Sequence, residues 1–187
     1  MGERPDAPAV DESVAVPTAA RMRELGERLA GLLRPGDLVV LSGGLGAGKT
    51  TLTQGIGAGL GVRGPVTSPT FVIARVHPSL RGGPDLVHAD AYRLGSRAEV
   101  DDLDLDTDID SSVTVVEWGE GLVEDLAPSF LHVAIATGPG TGPGAAVAGS
   151  GDGADEARTV RIIGWGERWH LAAHAASQAL GSPPEGS

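Results

Sequence analysis

A solitary lysine marks the first place where this chain could do chemistry. Every other basic side chain that holds a fixed charge is arginine, whereas Lys49 stands in the run Gly43, Gly44, Leu45, Gly46, Ala47, Gly48, Lys49, Thr50. That run satisfies G-x-x-x-x-G-K-[ST] at every fixed position. The apolar stretch "DLVVLSG" before it predicts a short buried strand, and "KTTLTQGIGAGLGV" after it predicts a helix that frays through its glycines. A strand, a glycine loop and a helix start place successive backbone N–H groups and a positive helix end around one hollow, which suits phosphate. Gly43, Gly44, Gly46 and Gly48 let the backbone wrap closely without Cβ clashes. Lysine supplies a compact charge on a flexible stem, a better bridge between terminal phosphates than a planar guanidinium. The Thr50 hydroxyl suits Mg²⁺, and Thr51 supports the same turn.

Such a loop also needs an acidic group at the end of a neighbouring strand to hold the magnesium shell. Two residues qualify. Glu117 ends "VTVVE" and Asp90 ends "LVHAD". Spacing leaves open which of them approaches metal and which the attacking water.

The elements that must position these groups follow from periodicity. Met22, Leu25, Leu29, Leu32 and Leu33 recur at helical spacing over residues 18–33, before Pro35 and Gly36 stop the pattern. "FVIARV" and "DLVHAD", joined by the turn-rich "HPSLRGGP", predict a hairpin; "VTVVEW", "FLHVAIA" and "TVRIIGWG" predict further strands, and "ERWHLAAHAASQAL" a closing helix. Residues 1–13, rich in Pro, Ala and acid, are expected to be disordered, as are the tail 181–187 and a flexible insertion at 137–157 dominated by Gly, Ala and Pro. Between them, residues 14–180 form one domain. Strands alternating with helices imply an α/β fold, a P-loop NTPase-like three-layer sandwich with a mixed central sheet.

Composition narrows the function classes. The 187 residues include no cysteine, which removes disulfides and thiolate metal ligands, and the start of the chain lacks the apolar run of a signal peptide. A cytoplasmic location is expected. Gly, Asp, Arg or Pro interrupts every apolar run before the roughly 20 residues that span a bilayer. The net charge of −11 works against direct binding of a phosphate backbone, so a nucleic acid would have to be held by a partner.

Beside the phosphate loop stand "TSPTF" from Thr67, "HADAYRL" from His88 and "VTVVEWGE" from Val113. In this order and at these separations the chain resembles the TsaE (YjeE) family, the ATPase component of bacterial tRNA threonylcarbamoyladenosine synthesis. The resemblance covers residues 18–180. It implies ATP and Mg²⁺ as cofactors, bound by residues 43–51, with Thr67, Ser68, Pro69 and Thr70 forming a switch-type loop beside the γ-phosphate. It further implies that Asp90 and Glu117 serve magnesium and hydrolysis, that Lys49 is catalytic, and that Tyr92, Arg93 and Trp118 lie near the site. The implied partners are TsaB-like and TsaD-like proteins, with tRNA reached only through their complex. Gly44 departs from the family, which commonly has Asp there.

Competing readings are weaker. A P-loop small-molecule kinase would share the loop but needs a lid, and none is evident around Arg75, Arg81, Arg93 or Arg97. A GTP-controlled switch would need the Asn-Lys-x-Asp guanine signature, and the chain has no asparagine. The alternating acids from Asp102 to Asp110 resemble a calcium loop, yet Ser111 replaces the glycine that the sharp turn requires in the closest frame. His170 and His174 are four residues apart without a third ligand at metal-site spacing, so both read as ordinary helix residues.

Overall fold

A computed structural model describes residues 7–69, 74–94, 96–101, 109–138 and 157–181. In chain order these form β1 (Val10–Val16), α1 (Ala19–Ala30), β2 (Leu38–Gly43), α2 (Lys49–Leu60), β3 (Ala74–His77), β4 (Asp85–Asp90), α3 (Arg97–Asp101), β5 (Ser112–Glu117), β6 (Phe130–Thr137), β7 (Arg158–Trp165) and α4 (Glu167–Leu180). The seven strands make one sheet in the order β1-β7-β6-β2-β5-β4-β3. Its centre, β6-β2-β5-β4, is parallel, while β3, β7 and β1 are antiparallel to their neighbours. The sheet is therefore mixed, as the hairpin signal predicts.

Alternation of side chains along the strands divides the interior in two. Val39, Leu41, Leu86, Val113, Val115, Leu131, Val133 and Ile162 pack with Met22, Leu25, Leu29, Leu52, Ile56 and Trp169 of α1, α2 and α4. Leu38, Val40, Val87, Ala89, Val116 and Phe130 point to the opposite face and meet Val100 of α3, Ile109, Val123 and Ala127. Residues 38–41 of β2 are all 0% exposed, so the strand that carries the glycine loop is anchored deep in the sheet. Each such Leu or Val adds roughly 1.5–3 kcal/mol through burial.

Two expectations need correction. The start of the chain is not disordered through residue 13: Val10–Val16 pairs along β7 from Val10↔Gly164 to Val16↔Arg158, with Val10, Val14 and Val16 buried. Nor does α2 fray. It runs unbroken from Lys49 to Leu60, and its glycines allow the backbone of α1 to approach closely. A Cβ on Gly26 would lie 2.8 Å from the Gly55 Cα, and one on Gly59 would lie 3.1 Å from the Glu27 Cα. Glycine here is a packing surface, and tertiary contact outweighs its poor helix propensity.

The β3–β4 hairpin forms as predicted, with residues 71–73 of the expected first strand outside the described residues, and the closing helix matches its predicted position. Residues 139–156 of the predicted insertion lie outside the described residues, as does 182–187 of the tail. The stems of the insertion are the antiparallel β6 and β7, closed by Gly138 N–H donating to Ala157 O at 3.1 Å.

Candidate nucleotide-binding site

The loop between β2 and α2 lies at the carboxyl ends of the parallel strands, where open α/β sheets collect their ligands. Gly48 has φ +112°, a conformation that a residue with a Cβ rarely adopts, and it places Lys49 at the head of α2. No side chain caps α2, so its leading N–H groups are left for a ligand. Among the loop residues Leu45 is 95% exposed and Ala47 is buried. A Cβ on Gly44 would meet nothing within 4 Å, so glycine at this position answers no steric demand.

Lys49 is only 5% exposed. Its Nζ donates to Gly43 O at 2.8 Å and to Gly44 O at 2.9 Å, and it sits 4.0 Å from the centroid of the Trp118 ring. Burial pushes its ammonium below the ordinary lysine value, opposed by the charges of Glu117 and then Asp90. The lysine head is thus drawn back into the loop by carbonyls and an aromatic face, all of them exchangeable for phosphate oxygens.

Register brings the acids to the same place. Asp90 of β4 is paired with Glu117 of β5, and Leu41 of β2 with Glu117 from the other side. Glu117 is 3% exposed and accepts two hydrogen bonds on Oε1, from Thr50 Oγ1 at 3.0 Å and from His88 Nε2 at 2.8 Å. Asp90 Oδ1 accepts from Tyr92 N–H at 2.9 Å, which curls the chain away from the strand end. Directly after Glu117 the chain turns through Trp118, whose φ of +60° is the only positive value at a non-glycine among the described residues. A left-handed tryptophan costs on the order of 1–3 kcal/mol. Its ring contacts offset this: it lies against Lys49 and, at 5.1 Å between centroids, against Tyr92.

The structure therefore unites Lys49, Thr50, Asp90, Glu117, Tyr92 and Trp118 at one end of the sheet. Thr51 follows within the first turn of α2. Thr67 accepts from Arg75 Nη1 of β3 at 3.2 Å, and the segment before it is held to α2 by Gln54 Nε2 donating to Val66 O at 3.1 Å. Thr70 lies outside the described residues, as does Asp102 to Asp108 of the calcium-like run. His170 and His174 are on α4, and His174 Nε2 meets Gln178 Nε2 at 2.9 Å. Among the described residues no three His, Asp or Glu side chains form a metal cluster, so a cation here would need the Thr50 hydroxyl as well as the carboxylates.

Sequence reasoning missed two contributors. His88 is fully buried against Glu117, a contact visible only once β4 and β5 are in register. On the other sheet face, Ser42 Oγ meets His132 Nε2 at 2.8 Å and ties the end of β2 to β6.

A mixed sheet with flanking helices, and a glycine loop leading from its central strand into a helix, define a P-loop-like α/β fold. A crystal structure of Bacillus subtilis YdiB shares it, with a TM-score of 0.66 and 25% identity over 95% of this chain and 98% of that one. The family model described as threonylcarbamoyl adenosine biosynthesis protein TsaE matches residues 16–141. The tRNA threonylcarbamoyladenosine biosynthesis protein TsaE of Streptomyces coelicolor is 62% identical over 152 residues, covering 81% of this chain and 95% of that protein. Its namesake in Mycobacterium tuberculosis H37Rv is 53% identical over 118 residues, 59% of this chain and 70% of the other. This chain belongs to the TsaE family of tRNA threonylcarbamoyladenosine biosynthesis. No helix among the described residues is long and apolar enough to cross a membrane.

Proposed function

We propose that the chain is a Mg²⁺-dependent ATPase that works in the cytoplasm beside TsaB-like and TsaD-like partners, which hold the tRNA whose adenosine is modified. The observation that carries this reading is the bond from Thr50, at the uncapped head of α2, to Glu117 at the end of β5. It joins the hydroxyl and carboxylate needed for a magnesium shell within a loop shaped for phosphate. The residues present fit both groups.

The loop N–H groups and the α2 terminus would hold the phosphate chain of ATP, with Lys49 exchanging the carbonyls of Gly43 and Gly44 for terminal phosphate oxygens. Thr50, Glu117 and Asp90 would hold Mg²⁺, which supplies charge neutralisation at those oxygens. A water oxygen would bond to the γ-phosphorus as the bridging P–O bond to the β-phosphate breaks, with the water's proton passing to solvent, giving ADP and inorganic phosphate. Glu117 and Asp90 orient that water, and Lys49 stabilises the spreading negative charge. Thr67 and Ser68 would face the γ-phosphate, with Thr70 assigned to the same role by the family resemblance alone, and dependence on partners makes slow turnover in their absence the expected state.

The test is reconstitution with the cognate TsaB-like and TsaD-like proteins, measuring phosphate release and modified tRNA over repeated rounds. Lys49→Ala should lower turnover on the order of a hundredfold or more while the fold is retained. Unchanged turnover in that variant would remove the proposed role of the loop.

A further inference from the structure

We infer that His88 is a positioning residue for this chemistry, acting through Glu117; the inference rests on the ATPase reading above. Nothing in the phosphate-loop pattern calls for a histidine on β4. Yet His88 is 0% exposed and its Nε2 lies 2.8 Å from Glu117 Oε1. The facing carboxylate can only accept, so Nε2 carries the proton and donates. His88 Nδ1 has no hydrogen-bond partner among the described residues, so Glu117 is the side-chain partner that the ring is committed to.

The geometry at the carboxylate gives this bond its consequence. Thr50 Oγ1 and His88 Nε2 converge on the same oxygen, Oε1, from α2 on one side and β4 on the other. Held from two directions, the carboxylate plane is fixed, and Oε2 is the oxygen left for the shell. A Thr50 hydroxyl that offered a lone pair to a metal ion could keep donating its proton to Glu117, so Thr50 and His88 would both go on holding Oε1 with an ion in place.

His88→Leu keeps an apolar side chain among the Leu86 and Val115 neighbours that the sheet supplies, and His88→Gln restores an N–H donor at comparable reach. With His88→Leu, turnover and Mn²⁺ affinity in the presence of ADP should fall roughly 10–100-fold, the usual loss when the support of a metal shell is removed. Metal-free binding of a fluorescent ATP analogue should stay within about threefold, and His88→Gln should recover most of the loss. In a Glu117→Ala background His88→Leu should add almost nothing, since both changes remove one device. An equal additional loss in that background, or a parallel loss of metal-free nucleotide binding, would assign His88 a merely structural role and overturn the inference. Ring ¹⁵N NMR supplies a readout independent of hydrolysis: a proton on Nε2 supports the inference, and an Nε2 without a proton sinks it. Should the wild-type chain bind ATP but never hydrolyse it, the ATPase reading fails alone, because Mn²⁺ affinity and the ring spectrum still report the histidine's hold on Glu117.

Discussion

The two ends of β2 carry buried charge in opposite styles. At the entry end Asp37 is 4% exposed, and its Oδ2 accepts from Arg34 N–H at 2.8 Å and from Arg168 Nη2 at 3.1 Å. The same Arg168 nitrogen donates to Leu32 O at 2.6 Å, while the guanidinium lies 4.5 Å from the centroid of Trp169. That cluster ties the turn between α1 and β2 to α4 and gives the Asp37 carboxylate fixed partners, while Arg168 Nε is buried without one among the described residues. Even so, burial raises the Asp37 carboxyl above its ordinary value, opposed first by the Arg34 backbone bond and then by Arg168. At the exit end, Lys49 rests on loop carbonyls, Thr50 and His88 share one oxygen of Glu117, and the head of α2 has no cap. Closed charge networks hold elements together; an arrangement whose bonds can be exchanged for those of a ligand is a site.

This contrast can be broken by crossing the readouts. Arg168→Ala leaves Asp37 buried without its guanidinium and should cost about 3 kcal/mol in urea denaturation. Its effect on Mg-ATP affinity should remain within about twofold by titration, whereas Lys49→Ala should show the reverse pattern, with unfolding changed by under about 1 kcal/mol. If Arg168→Ala abolished nucleotide binding at unchanged stability, the two ends would not divide as described.

A smaller effect sharpens the comparison of the helix heads. Thr18 caps α1 by accepting from Arg21 N–H at 3.2 Å, a bond that α2 lacks. Thr18→Ala should therefore lower stability by about 1 kcal/mol in the same denaturation experiment, without altering turnover.

The smallest effect belongs to charge in solvent. Asp11 accepts two bonds from Arg161 at 2.8 and 2.7 Å, but both side chains are about 40% exposed. The hydrogen bond from Arg161 lowers the Asp11 carboxyl, burial opposes it, and the arginine's charge adds to the lowering. A depressed carboxyl contributes stability above its unfolded value, near 3.8, and loses it as pH falls through the folded value. Asp11→Asn should cost no more than about 0.5 kcal/mol at pH 7 after solvent screening, and nothing once the pH is low enough to protonate the wild-type carboxyl. Urea midpoints across that range measure the difference.

How far the sequence could be read depended on the range of the signal. The loop of residues 43–50 was legible because a local run of glycines, one lysine and one threonine states its own geometry. Glu117 and Asp90 were legible as strand-ending acids, and the register confirms that they are adjacent. β1 was missed because Pro, Ala and acid dominate the first dozen residues, while the alternation of Val10, Val14 and Val16 begins only at their end and runs past them. The glycines of α2 were misread because their reason, the backbone of α1 at Gly26, lies elsewhere in the sequence. His88 looked like any strand residue, since only a neighbouring strand supplies its partner.

The hairpin of β6 and β7 carries a consequence for access. Ile135 is level with Gly43, and β6 continues to Thr137, opposite Arg158, whose Cδ would lie 3.9 Å from a Cβ on Gly48. The ends of the two strands, at Thr137 and Arg158, thus lie beside the phosphate loop, although they are remote from it in numbering. A dye or affinity handle attached at Thr137 or Arg158 would therefore stand beside the glycine loop, a ready observation post for whatever enters.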